Sequence, residues 1–265
     1  MLCVLNEECG ADNFYLPMIA IYTLWLRQLK RYFRSKSRII GSLGQPVLFL
    51  VALGFGFGPI FQRAGQGNYI QFLAPGVIAM SILFTSVFSG IEIIWDRQFG
   101  FLKETLVAPV SRFEIMLGRT LGGATVGVLQ GIIVFFLSFI IGFRVVNWSL
   151  LPLAFVFMIL IALLFTALGT GIASLLQDMT GFQLIMNFIV MPIFFLSGSL
   201  FPPNGLPSAL DLVVKIDPLA YGVDGLHGTL GQMAQFGLAT DFWVLSVIVV
   251  IFIAIGSYLF SRIQV

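Results

Sequence analysis

Six long apolar runs dominate the chain, at about 39–61, 70–94, 120–142, 150–176, 182–202 and 241–261. Each suffices to cross the roughly 30 Å hydrocarbon layer of a bilayer as a helix. The first run contains Pro46, Gly54, Gly56 and Gly58, which membrane helices tolerate better than soluble ones. Residues 19–38 follow another pattern. At about 100° per residue, Tyr22, Trp25, Leu26, Leu29, Tyr32 and Phe33 share one face, and Arg27, Lys30, Arg31, Arg34 and Arg38 the opposite one. That pattern predicts a helix lying in the membrane interface; the plainer alternative is a basic tail that only fixes topology. The stretch 204–240 is moderately apolar, broken by Pro207 and Pro218, and carries Asp211, Lys215, Asp217 and Asp224. It reads as one or two short helices that dip into the interface without crossing. The expected fold is an all-α integral membrane protein. It has six transmembrane helices, an N-terminal amphipathic interface helix and a re-entrant extracytoplasmic segment before the last span. Residues 1–17 read as an extension and 18–265 as one transmembrane domain.

Composition strengthens this picture. Of 265 residues, 58% are hydrophobic and 10% charged, against about 25% charged in a soluble domain. Mean hydropathy is +1.01. A soluble chain with that balance could not cover its core with polar surface. The net charge is only +2, and the distribution matters more than the total. Six basic residues lie in the first helix (Arg27, Lys30, Arg31, Arg34, Lys36, Arg38). Four more lie between the second and third runs (Arg97, Lys103, Arg112, Arg119), and Arg262 follows the last run. These are 11 of the 14 Lys and Arg residues; the other side keeps Arg63, Arg144 and Lys215. The positive-inside rule therefore predicts a multi-pass protein of the cell membrane with both termini cytoplasmic.

The pattern also excludes chemistries. A phosphate-cradling loop needs Gly-Lys, and Lys30, Lys36, Lys103 and Lys215 follow Leu, Ser, Leu and Val. The single histidine, His227, excludes a His-x-x-x-His zinc site, and no Gly-x-Ser-x-Gly elbow accompanies it. His227 reads as an interfacial or packing residue. Cys3 and Cys9 read as free thiols, the alternative being a disulfide that would staple only a short tail, and no metal or cofactor is expected on this chain. A proton- or ion-coupled carrier needs ionisable groups deep in the membrane. Here Glu92 is the one charge inside a run, close to its end, and Gln130 and Asn187 are neutral. Energy for uphill transport is expected from elsewhere, although a secondary carrier or channel working alone is kept as the alternative. Nothing points to nucleic acid.

The 95–119 loop, WDRQFGFLKETLVAPVSRFEIMLGR, predicts a short helix over Gln98–Ala108, broken at Pro109. A short amphipathic helix hung at the cytoplasmic face suits a groove on a soluble partner. The run Asp96-Arg97-Gln98, Gly100, Leu102, Glu104, Leu106, Pro109, Ser111-Arg112 and Gly118-Arg119 resembles the signature of type-2 ABC transporter permeases, membrane subunits of ABC exporters that include the daunorubicin-resistance type. That family's loop commonly begins Glu-Arg-Glu and continues Gly-Thr, where this chain has Gln98 and Phe101. A second stretch also resembles it: Phe195-Leu196-Ser197-Gly198, Phe201-Pro202, Leu206-Pro207, Pro218-Leu219, Tyr221, Asp224 and Leu226, with His227 where Arg is frequent.

The resemblance implies an ATP-driven exporter of two membrane subunits, here a homodimer, with two separate ATPase subunits. ATP and Mg would be bound by the ATPase. A coupling helix would involve Arg97, Gly100, Phe101, Leu102, Glu104, Leu106 and Arg112. The interface helix, with Arg27, Arg31 and Arg34, would lie near the ATPase. The first and fifth spans would line the path, with Asn187, Phe194 and Phe195. The cargo would be amphipathic: a drug, lipid or lipid-linked glycan.

Glycines add a packing expectation. Gly118, Gly122, Gly123, Gly127 and Gly131 in the third span give overlapping four-residue spacings, which let helix backbones approach closely. The expected use is packing within the subunit, with dimerisation as the alternative. Gly222, Gly225, Gly228 and Gly231 recur every third residue, suggesting a closely packed turn. Most of the 28 phenylalanines are expected to face lipid or neighbouring helices.

Overall fold

The computed structural model describes residues 9–63, 67–107, 110–202, 207–231 and 233–263. Cys3, Ala108, Pro109 and Leu206, and the side chains of residues 9–17, lie outside that description. All regular structure among the described residues is helical, and six helical segments are long and apolar enough to span a membrane.

Helix α1 (Cys9–Arg34) is followed at once by α2 (Lys36–Arg63). The break differs from the single 19–38 helix expected from the pattern, and the boundary placed at residue 18 falls inside α1. At the joint, the Ser35 carbonyl accepts the N–H groups of Arg38 and Ile39, starting a new helix. Lys36 and Arg38 therefore open the first span rather than closing the amphipathic helix.

The second span is α3 (Tyr69–Ser89) continued by α4 (Ile91–Gln98), with Gly90 between them. Gly90 packs against the backbone of Gly169, and a Cβ there would collide with the Gly169 carbonyl. Helix α5 (Phe101–Val107) follows, then α6 (Arg112–Ile141). α6 starts eight residues earlier than the apolar run because of a reciprocal cap. The Glu114 N–H donates to Ser111 Oγ at 3.3 Å, and the Ser111 N–H donates to the Glu114 carboxylate at 2.9 Å. Such a capping box satisfies two first-turn donors. Residues 112–119 are thus helix, not loop.

A short 3-10 turn (Trp148–Leu150) leads into α7 (Leu151–Leu175), and α8 (Met179–Leu196) forms the fifth span, capped by Asp178 on the Gly181 N–H. Two short helices, α9 (Ser208–Ile216) and α10 (Pro218–Leu226), continue through one π turn, His227–Gly231, before α11 (Leu238–Ser261).

Helix α3 is the buried centre, packed against α2, α6 and α7, while α11 covers α7 and α1 covers α6. Apolar area does not drive helices together in lipid; close backbone approach and polar contacts do. The α6 glycines supply that approach on two sides. Gly118 and Gly122 face α1, where added Cβ atoms would meet Leu24 and Gln28; Gly123, Gly127 and Gly131 face α3 and α7. α1 runs alongside α6: Trp25 Nε1 donates to Thr125 Oγ1 at 3.0 Å, and the Tyr32 hydroxyl to Gln130 Oε1 at 2.7 Å. The aromatic face of α1 is therefore divided. Tyr32 is buried on α6, while Tyr22 and Phe33 stay exposed.

The Gly222, Gly225 and Gly228 repeat now has a reason. Gly222 lies over Ile161, Gly225 over the Phe157 ring, and Gly228 over Leu238, so α10 and its π turn sit close on α7 and α11. Helices α2, α8 and α11 turn most of their surface outward.

Candidate coupling site at the α4–α5 corner

Four helices meet along α4. α4 contributes two carboxylates one turn apart, Glu92 and Asp96, both buried. α1 brings Arg27 and Arg31, α2 brings Arg38, and α6 brings Arg119. Asp96 binds Arg119 at 2.7 Å, Arg27 at 3.1 Å and Arg31 at 3.6 Å. Glu92 binds Arg38 at 2.8 Å and Arg31 at 3.3 Å. Arg119 is only 3% exposed, so its charge depends on Asp96. Exposed pairs contribute about 0–1 kcal/mol, which covers Arg27, Arg31 and Arg38; the Arg119–Asp96 pair is of the buried kind.

Arg97 faces the other way. Its guanidinium donates to the carbonyls of Leu176 and Ser174, both at 2.8 Å, closing the last turn of α7, where carbonyls lack helical partners. The corner residue, Gly100, has φ +80, a left-handed conformation that glycine adopts without strain. α5 follows directly.

The residues expected to couple thus divide. Phe101 is 48% exposed with the Arg27 guanidinium 5.6 Å from its ring centroid. Lys103 and Glu104 are exposed, and Glu104 has no ion pair among the described residues. Leu102 is fully buried in the chain's own core, and Leu106 is half-buried. Arg112 donates to the carbonyls of Ser261 and Ile263, at 2.5 and 3.1 Å, tying the start of α6 to the end of α11. Leu102, Arg97 and Arg112 therefore have intramolecular roles. The outward face of α5 is Phe101, Lys103, Glu104 and Val107. Of the α1 arginines, Arg27 and Arg31 are paired and Arg34 is exposed.

The residues expected to line a path form a separate group on α8. Phe194 is buried edge-on against Phe49 of α2 and Phe84 of α3, whereas Asn187 and Phe195 lie on the exposed face. Beside Phe84, a cavity of about 220 Å³ opens between α2 and α3, lined by Arg38, Ser42, Gln45, Ser81 and Thr85 as well as aromatic rings. This mixed lining was not foreseen.

At the opposite end of α3, polar side chains hold the 207–237 segment. Asp217 caps α10 through the Leu219 N–H at 2.9 Å, and burial pushes its carboxyl up to about 7. Asp224 accepts the N–H groups of Gln235 and Phe236. His227 bonds the Phe72 carbonyl at 2.8 Å and stacks on the Phe72 ring, and burial lowers its imidazole pKa. Of the two readings the sequence left open, interfacial or packing, the buried position selects packing.

Six helical segments long and apolar enough to cross a bilayer, with a short helix at a clamped corner, define a multi-pass membrane protein. The chain belongs to the ABC-2 type transporter family, whose profile matches residues 19–230. It is 28% identical over 255 residues to the inner membrane transport permease YadH of Escherichia coli K12, covering 94% of this chain and 97% of the relative. It is 27% identical over 275 residues to a putative transport permease, ycf38, of Cyanophora paradoxa (97% and 93%). Against nodulation protein J of Rhizobium meliloti it is 30% identical over 188 residues (70% and 71%). Membership makes the chain the membrane component of an ABC transporter, a family that normally works with an ABC ATPase.

Proposed function

We propose that this chain is the permease subunit of an ATP-driven exporter, working as a homodimer with two copies of a separate ATPase that binds ATP and Mg. Both termini and α5 lie in the cytoplasm on this reading, and the cargo is amphipathic, in the class of drugs, lipids or lipid-linked glycans. The observation that carries it is the outward face of α5. A short helix carrying Glu104, a carboxylate without an ion pair among the described residues, hangs from a corner that Arg97, Asp96 and Glu92 hold to four other helices. The mixed polar and aromatic cavity between α2 and α3 supports an amphipathic cargo. The outward apolar faces of α2 and α8 suit a second copy.

The test is Glu104→Lys. Removing one member of a desolvated charge pair costs about 2 kcal/mol or more, roughly a thirtyfold weaker complex. The variant is expected to insert into the membrane normally, yet to lose co-purification with its ATPase or ATP-driven transport. Leu102, being buried, is left intact. Normal ATPase binding and normal transport in Glu104→Lys would overturn the assignment and favour a carrier that works alone.

A further inference from the structure

The joint between α1 and α2 encloses an open cleft of about 920 Å³. Five cations line it: Arg27, Lys30, Arg31, Arg34 and Lys36. Arg27 and Arg31 are committed to Asp96 and Glu92. Among the described residues, Lys30, Arg34 and Lys36 have neither a carboxylate partner nor a side-chain hydrogen bond. Four basic groups from α1, α2 and α6 surround only two carboxylates in the adjoining cluster. The neighbourhood therefore keeps an excess of positive charge even after its internal pairs form.

The remaining lining suits a phosphate. Ser35 and Ser37 border the cleft with Thr23, and α2 begins there, at Lys36. First-turn N–H groups of a helix lack partners within it; here the Ser35 carbonyl takes those of Arg38 and Ile39, which leaves those of Lys36 and Ser37 at an end of the kind that receives anions readily. Arg and Lys are the usual phosphate donors. The position selects the source. The cleft lies where the first span begins, at the level of headgroups, and Phe33 and Ile40 beside it are exposed at 57% and 71%. An exposed apolar residue on each of the two helices that form a basic cleft suits acyl chains below a headgroup rather than a free ion.

We propose that this cleft binds the phosphate headgroup of an anionic phospholipid, held mainly by Lys30, Arg34 and Lys36. The cleft borders the outward face of α5, because Arg27 lines it and lies over Phe101, but Lys30, Arg34 and Lys36 belong neither to that face nor to the lining of the cavity between α2 and α3, so the proposal stands whether or not the assignment of α5 does. A seated headgroup would fix the joint between α1, which braces α6, and α2.

The experiment uses the purified full chain in a zwitterionic detergent, titrated with tail-labelled phosphatidylglycerol and, separately, tail-labelled phosphatidylcholine. The comparison variant is Lys30→Gln/Arg34→Gln/Lys36→Gln. Each basic group near an anionic lipid contributes about a fivefold gain in binding, so the triple variant is expected to bind phosphatidylglycerol at least tenfold more weakly. Phosphatidylcholine binding should be unchanged. Arg63→Gln/Arg144→Gln, which removes charge elsewhere, should bind phosphatidylglycerol as the parent does. Circular dichroism and gel filtration of the triple variant should match the parent, because none of the three side chains holds another. Equal phosphatidylglycerol affinity in parent and triple variant would overturn the proposal. So would full displacement of the lipid by equimolar inorganic phosphate, which would assign the cleft to a free anion.

Discussion

The Arg119–Asp96 pair should be among the most sensitive single points of the structure. Asp96→Asn keeps the shape of the side chain and removes its charge. Arg119 is 3% exposed and contacts Asp96 at 2.7 Å, and its Nε is already without a partner. Losing one partner of a buried pair costs about 3–5 kcal/mol, because the other charge stays buried and uncompensated. Arg27 and Arg31 are over a third exposed, so their loss of Asp96 adds at most about 1 kcal/mol. A total near 4 kcal/mol at about 2–4 °C per kcal/mol lowers the midpoint by roughly 8–16 °C. The assay is thermal unfolding of the detergent-purified chain, followed by loss of monodisperse protein on gel filtration. The argument also fixes a second result. Adding Arg119→Met to Asp96→Asn removes the stranded charge and should restore more than half of the loss, since apolar replacement of a buried pair is often neutral. A midpoint for Asp96→Asn within about 2 °C of the parent would refute the reasoning. So would a double variant no more stable than the single one.

Other outcomes follow from the packing and the caps. In Gly123→Val, the new Cβ meets Thr166 Cγ2 at 2.7 Å and crowds Ser89 Oγ. This should cost about 1–3 kcal/mol, read as a lower melting midpoint and lower membrane yield. Asp217 is raised from 3.8 to about 7 in the folded chain, so the folded state holds the proton more tightly. Stability from this group is present in full below about pH 4 and is lost as pH rises towards 7. Asp217→Asn, which can still cap α10, should flatten the pH dependence of the melting midpoint across that window. Reporter fusions after residue 65 and at Val265 should give opposite activities, because 11 of the 14 basic residues lie on the side assigned to the cytoplasm; matching activities would contradict six spans.

The spans were legible because a helix that crosses lipid must be apolar on all sides, and a run of about 20 such residues has few other uses. Their ends were less so. α6 begins at Arg112, and the Ser111-x-x-Glu114 spacing that starts it was present in the sequence and could have moved the boundary. The break at Ser35 was harder, because helical periodicity continues through it on the basic face. The α6 glycines were read correctly as close-packing positions, but the sequence could not say that two of them face α1 and three face α3 and α7. Asp96 and Arg119 stood in the family-like run, yet they are 23 positions apart, and only the fold brings them together. For the same reason Leu102 and Glu104 looked alike as contact residues. A helix as short as α5 has too few turns for its own pattern to reveal which face the bundle covers.

The arrangement around α4 bears on how a push on α5 would travel. Gly100 gives the corner its turn, but freedom at one glycine does not isolate α5 from the spans, because Leu102 is packed into the core on the far side of the turn. From α4 the restraints then diverge: Arg97 holds the end of α7, Asp96 holds α1 and α6, and Glu92 holds α1 and α2. A displacement of α4 would strain these contacts together, since packed interfaces shift between discrete arrangements rather than deforming smoothly. The only restraint in that set that reaches the first span runs through Arg38 and Glu92, and Arg38 also borders the cavity between α2 and α3. Arg38→Gln should therefore separate two functions that Asp96→Asn confounds. The pair is partly exposed, so stability should fall by no more than about 1 kcal/mol, while ATP hydrolysis by the assembled complex should continue with transport reduced. Transport at the parent rate in Arg38→Gln would mean that motion of α4 reaches the path by way of α6 or α7 instead.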